Sequence, residues 1–420
     1  MEIISEFKNL LNKRKFIFFV LFLFLVVQLV YSFLFPSSDF TGTGHQWLSL
    51  PELISHERSP LGSSDIPIIN KFYPIFSNYT LNADGGEYIL LAKNFPGYYF
   101  KNVIYLARPL YSFLIAIVAF LPRLFFDSYA TIFASAIFFN FVLAYAVILL
   151  FYLLVEKIIS SRTAFLSSFL FIVSPFVHSW LVQPVPELLG AFIVISSLYF
   201  LYSYTKRPSL PKLIVFSLII GTFMLAKMFF VPTVFILILS IYFKRFKEGI
   251  IFLLIHLIPL LLWYLIVTRV FKLGYFVNEI VYFNAGIWLL NIFSWPWHQT
   301  FQIFLNILPK FVTAVIHGFL LIPVIFAIVG FNRFYVANKN ILCFSFLFSF
   351  LTVFFAANFY FPRHAFLLFP LVYPLAVLGI DITADFFKKY KTWYSTIFYL
   401  IAYLLIIIIS NINVYKIISY

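Results

Sequence analysis

The stretch VIYLARPLYSFLIAIVAFL, residues 103–121, is the one on which the fold turns. It is apolar enough to cross a bilayer, whose hydrocarbon core takes about 20 helical residues. Arg108-Pro109 interrupts it near its start, however, and Pro122-Arg123 closes it. If it spans, every later loop changes side; if it lies on the surface, none does. The rest of the chain gives the context. Of 420 residues, 63% are hydrophobic, 22% aromatic and only 10% charged, with a mean hydropathy of +1.01. That composition excludes a soluble globular domain and implies an all-α, polytopic membrane protein. Apolar runs read as spans at Phe16–Phe35, Tyr129–Val155, Thr163–Val177, Glu187–Tyr204, Leu213–Phe229, Phe230–Phe243, Ile250–Val267, Phe311–Gly330, Ile341–Ala356, Ala365–Ile380 and Trp393–Ser410. The first follows Lys13-Arg14-Lys15 and ends without a small-residue cleavage site, so it reads as a signal anchor.

Charge decides how residues 103–121 are read. Take Lys13 as cytoplasmic and the stretch as lying on the outer surface. The cytoplasmic segments then hold Lys8, Lys13, Arg14, Lys15, Lys157, Arg162, Lys206, Arg207, Lys212, Lys244, Arg245, Lys247, Arg333, Lys339, Lys388, Lys389 and Lys391, which is 17 of the 29 basic residues in short loops. If the stretch spans, that share falls to 11, against 18 outside. The positive-inside rule selects the first arrangement. The expectation is therefore about 11 transmembrane helices, with residues 103–121 an interfacial helix, the N-terminus inside and the C-terminus outside. The net charge of +14 is read the same way, as basic cytoplasmic loops and not as a nucleic-acid surface. The single cysteine, Cys343, excludes a disulfide within the chain and a cysteine-based metal site.

One membrane domain over residues 1–420 results, with two long external loops, 36–128 and 268–310. The first carries Asp39 and the run Leu81-Asn82-Ala83-Asp84-Gly85-Gly86-Glu87-Tyr88-Ile89-Leu90-Leu91-Ala92. Two carboxylates three residues apart can share a helix face. The two glycines let the backbone come close to a ligand or take a positive φ. Asp84 also reads as a helix N-cap with Glu87 at N3, and a cap does not exclude a base. The second loop holds Trp295-Pro296-Trp297-His298, residue types that gather at a membrane interface.

Other polar residues fall on the same side. His178, Gln183 and Glu187 flank a break made by Pro184 and Pro186; Lys227 tips a hairpin; Arg363-His364 opens a late helix; Arg108 follows the acidic run. Singly, Lys227 or Arg363 reads as a snorkelling anchor, Glu187 as a first-turn acid favoured by the helix dipole, and His178 as an interface residue. Together they are acids and bases at one depth, where ionisable groups are costly and default to function.

In order and topology these features resemble the GT-C superfamily of integral-membrane glycosyltransferases, the protein O-mannosyltransferase and aminoarabinose transferase group in particular. The matching residues are Asp84-Gly85-Gly86-Glu87-Tyr88-Ile89-Leu90-Leu91-Ala92, of the type Asp-x-x-x-Tyr-x-x-x-Ala; Ala107-Arg108-Pro109-Leu110-Tyr111; Val185-Pro186-Glu187-Leu188; and Pro362-Arg363-His364-Ala365 leading into a proline-containing helix. About 48 residues precede Asp84 after the first helix, which makes Asp39 a rival for its position.

The resemblance implies transfer of a sugar from a polyprenyl-phosphate donor to a glycan, lipid or protein acceptor, with inversion, on the outer face of the plasma (inner) membrane. It implies Asp84 as general base and Glu87 as the second catalytic carboxylate. Glu187, Tyr88, His178 and Asp39 are supporting residues. Arg108, Lys227, Arg363 and His364 bind the donor phosphate. Some members use a divalent cation, Mg or Mn, and some use none; the acids here leave that open. A lipid-linked glycan polymerase or ligase, or a flippase, is the alternative. A flippase would place charge deep within its helices, whereas the midplane here is almost wholly apolar.

Overall fold

A computed structural model of the chain describes residues 2–34, 48–49, 80–81, 83–95, 109–226, 244–273, 296–337 and 365–411. Apart from a two-residue antiparallel pairing of Leu48–Ser49 (β1) with Thr80–Leu81 (β2), the described elements are helices. They are α1 Glu2–Leu34, α2 Ala83–Lys93, α3 Pro109–Arg123, α4 Tyr129–Ile158, α5 Ser161–Ile172, α6 Pro175–Val182, α7 Glu187–Lys206, α8 Leu210–Phe223, α9 Phe246–Leu265, α10 Trp297–Phe319, α11 Leu321–Ala337, α12 Phe369–Lys388 and α13 Thr392–Asn411. Among the described residues six helices are long and apolar enough to cross a bilayer, or seven if α5 and α6 form one bent span; α3, α8 and α11 supply shorter apolar stretches. A helix satisfies its own backbone polar groups, so in hydrocarbon this is the form the chain must take. The protein is a multi-pass membrane protein. The expected spans Phe230–Phe243 and Ile341–Ala356 lie outside the described residues.

Ring contacts and ion pairs give the direction of each helix. α1 and α4 are antiparallel: Arg14 meets Glu156 at 2.9 Å, and Phe18 and Phe22 lie against Tyr152 and Tyr145, both at 5.4 Å. α1 therefore ends, and α4 begins, at the same end of the bundle. The interval between them therefore makes no net change of side. Within it, α3 at 15 residues is about 22 Å long, shorter than a bilayer core. α4 and α7 run parallel, with Asn140 beside Gln183 and Lys157 beside Tyr199. α8 and α9 are also parallel, Phe216 facing Phe252 and Gly221 facing His256. So are α11 and its neighbour α12: Phe319, which ends α10, packs on Tyr373, and Arg333 reaches Asp385 at 3.5 Å.

This threading sorts the charges. Arg14–Glu156, Arg162–Asp381 and Arg333–Asp385 all pair at one end, which also carries Lys157, Lys206, Lys247 and Lys388. We call this the basic end. Two expected spans differ from the sequence reading. Thr163–Val177 is divided: α5 stops at Ile172, Ser174 caps the next turn by accepting from the Val177 amide at 3.3 Å, and α6 leaves at 56°. Pro175 at the first position of α6 fits there because its missing N–H has no partner to lose. Phe311–Gly330 is also divided, at Leu320, whose φ of 66° ends α10 and starts α11. α10 itself begins at Trp297, so part of the expected second loop is helical; Trp297 is exposed, as an interfacial tryptophan would be.

Candidate functional site

Far from the basic end, the chain turns through a corner formed by α6 and the segment Gln183-Pro184-Val185-Pro186. Every residue from Leu170 to Ala191 is buried. Pro184 and Pro186 cannot continue a helix, so α6 stops at Val182 and α7 starts at Glu187. Asn140 holds the corner. Its Nδ2 donates to the carbonyls of Trp180 (3.0 Å) and Gln183 (2.7 Å), and its Oδ1 accepts from Tyr111 of α3 (2.8 Å). These are the carbonyls that a helix end leaves without partners. Sixteen helical residues, about 24 Å, separate Asn140 from Glu156. That separation compares with a hydrocarbon core about 30 Å thick.

The acidic run meets this corner directly. A Cβ on Gly85 would lie 3.1 Å from two ring carbons of Pro184 and 3.6 Å from Gln183 Oε1. The glycine is there for close helix-to-corner packing. It is not a turn residue, since Gly85 and Gly86 both lie inside α2. The helix begins at Ala83, so Asp84 occupies its first turn and not the N-cap position, and Glu87 falls a turn further in. Of Asp84, only its place in the helix is described. Glu87 and Leu90, with Asn94 just past the helix, form the more open stripe of α2, whereas Gly85, Gly86, Tyr88, Ile89, Leu91 and Ala92 are buried. Tyr88 packs edge-on against Tyr111 at 5.1 Å, joining α2 to the residue that bonds Asn140. Glu187 is 6% exposed at the first position of α7, directly beyond the prolines on which Gly85 rests.

His178 lies on the α1 side of the corner. Its Nδ1 is 3.0 Å from Ser32 Oγ and 3.2 Å from Gln28 Nε2, and its ring packs on Tyr31. Two more chain segments arrive nearby. The Leu110 amide donates to the Leu225 carbonyl at 3.2 Å, which fixes the start of α3 to the end of α8. Phe366, just ahead of α12, packs on Phe176 at 4.4 Å and on Trp180 at 4.6 Å. Asp39, Arg108, Lys227, Arg363 and His364 lie outside the described residues. The sequence reading did not single out Asn140, Gln28 or Ser32. Each is a polar residue in an apolar helix, which was the available signal.

Glu87, Glu187 and His178 are the acids and the histidine that the described residues place around the corner. Among the described residues no three His, Cys, Asp or Glu side chains stand close enough to hold a metal ion.

No protein-family model matches the sequence, and no curated protein matches it. Solved structures do. The archaeal oligosaccharyltransferase of Archaeoglobus fulgidus, in complex with zinc and sulfate, superposes with a TM-score of 0.50 at 15% identity, covering 78% of this chain and 48% of that one. The two chains share a fold. A second structure, archaeal oligosaccharyltransferase AglB from Archaeoglobus fulgidus with an inhibitory peptide and a dolichol-phosphate, gives a TM-score of 0.49 at 15% identity over 79% of this chain and 52% of that one. The present chain spans about half the length of these neighbours.

Proposed function

We propose that this chain is a membrane glycosyltransferase that moves a sugar from a polyprenyl-phosphate donor to a hydroxyl- or amide-bearing acceptor, at the corner opposite its basic end. One observation carries the reading: the acid-bearing helix α2 is seated, through Gly85, on the Pro184 break that leads into Glu187. Two elements that a loop of this length could have left far apart are thus neighbours, and the reading takes their carboxylates to serve one site at the outer end of the bundle. The fold shared with an archaeal oligosaccharyltransferase supports it. So does the order of motifs in the sequence.

The chemistry accounts for the residue types. An acceptor hydroxyl is a weak nucleophile until a carboxylate takes its proton; Asp84 is assigned that role, with Glu87 as the second carboxylate. Bond breaking at the sugar carbon proceeds through an oxocarbenium-like state, and an acid held nearby stabilises its positive charge. Glu187 is assigned there. The leaving phosphate gains charge as the bond breaks and requires cations, Arg by bidentate contact. Arg108 and Lys227 each stand two positions from the hydrogen-bonded pair Leu110–Leu225, and Arg363 and His364 stand just before the anchored Phe366. The outer face is assigned to this end because the opposite end collects the basic loops.

Asp84→Asn tests the assignment. The assay uses purified full-length protein in nanodiscs, lipid-linked sugars extracted from the host membrane, and release of polyprenyl phosphate as readout. Loss of transfer by about two to four orders of magnitude, with folding intact, is expected. Unchanged turnover in Asp84→Asn together with loss in Asp39→Asn would move the base to Asp39.

A further inference from the structure

At the basic end, the starts of the parallel helices α8 and α9 stand side by side at an open cavity of about 610 Å³ lined by Tyr204, Pro208, Ser209, Leu210, Lys244, Arg245, Phe246, Lys247 and Glu248. It belongs to neither the corner nor the proposed reaction. We propose that it binds the phosphate headgroup of an anionic phospholipid.

Three features select that ligand. The lining carries three cations against one carboxylate, and Glu248 is already engaged by Arg245 at 3.4 Å, which leaves Lys244 and Lys247 exposed to an incoming anion. α8 and α9 both start at the cavity without a side-chain cap, so the amides of their first turns, apart from the missing one of Pro211, add to the positive potential. The third feature is apolar. Leu210, Phe246, Ile250 and Leu254 are 49%, 56%, 58% and 63% exposed, and the last three recur every fourth residue of α9. They form one continuous outer face running about 12 Å from the cavity toward the other end of the bundle. A charged pocket opening onto an exposed apolar helix face matches an amphiphile with a charged head and long chains. α9 is apolar enough to cross the bilayer, so that face meets acyl chains, and a lipid whose head enters the cavity has its chains beside it, whereas a soluble phosphate would use the cations alone.

Binding is measured on full-length protein in detergent, titrated with fluorescent phosphatidylglycerol and, separately, phosphatidylcholine, with inorganic phosphate as competitor. The cavity variant is K244Q/R245Q/K247Q. A variant of equal charge loss at another basic turn, K388Q/K389Q/K391Q, is the control, and K244Q/K247Q keeps the Arg245–Glu248 pair should the triple variant fold poorly. The expected result is preference for phosphatidylglycerol, weakened about 10- to 100-fold by the cavity triple, about tenfold by the double, and little by the control. Equal weakening in cavity and control variants would reduce the effect to general surface charge and overturn the site. Equal binding of phosphatidylcholine, or full displacement by inorganic phosphate at millimolar concentration, would overturn the lipid headgroup as its ligand.

Discussion

Asn140 shows what a single buried amide can do in this protein. It joins three elements through three hydrogen bonds with no exposure to solvent. Replacing it leaves Tyr111 OH and two carbonyls without partners, each costing about 1–3 kcal/mol where buried. Asn140→Leu is therefore expected to lower the thermal midpoint of the detergent-solubilised protein markedly. Asn140→Asp should lower it further at neutral pH, because a carboxylate retains the bond from Tyr111 but faces two carbonyls it cannot donate to. Tyr111→Phe removes one bond and should be the mildest of the three. An Asp variant as stable as wild type would contradict this account. The sequence made the acids legible, because carboxylates are rare in so apolar a chain. Asn140 was not legible: a lone asparagine in a 30-residue apolar helix does not reveal partners 40 and 43 positions away. Gly85 was half legible. Close backbone approach to a ligand, or a positive φ, was the expectation; the approach in the structure is to Pro184, from inside a helix.

At the scale of elements, glycine sets the spacing of α11 and α12. A Cβ on Gly330 would lie 2.0 Å from the Leu375 carbonyl oxygen, and one on Gly379 would lie 1.9 Å from that of Phe326. Backbone cannot yield as a side-chain tip does, so either substitution must push the helices apart. Small residues at such crossings are how helices pack closely in lipid, where the hydrophobic effect gives no drive between them. Gly330→Ala and Gly379→Ala are each expected to cost about 1–3 kcal/mol, an overpacking penalty. The double variant should cost less than the sum, since both side chains open the same contact. Strict additivity in thermal unfolding would mean the two crossings are independent. Apolar periodicity made most of these helices legible, yet two expected spans are each two helices. Pro175 marks one of these breaks in the sequence. The other, at Leu320, carries no such mark, because a branched aliphatic residue at φ 66° is a conformation its own preferences oppose.

For the whole molecule, the decisive question is which side each end faces. Charge counting made residues 103–121 a surface helix, and the antiparallel pairing of α1 with α4 means that the interval containing it makes no net change of side. The same threading gathers Arg14, Lys157, Arg162, Lys206, Arg333 and Lys388 at one end. Cytoplasmic loops retain Lys and Arg, so that end should face the cytoplasm and the corner should face outward. Single-cysteine labelling tests this on a Cys343→Ser background, which removes the only native thiol. Asn94, exposed just past α2, and Lys206 and Lys388, exposed at the basic end, are suitable reporters. In intact cells a membrane-impermeant maleimide should modify Asn94→Cys, and should reach Lys206→Cys and Lys388→Cys only after permeabilisation. Labelling in the reverse pattern would keep the fold but turn it over, placing the acids inside. Labelling of Lys206→Cys and Lys388→Cys on opposite sides would break the shared basic end itself. That outcome would remove the threading on which the corner, and with it the proposed transferase, depends.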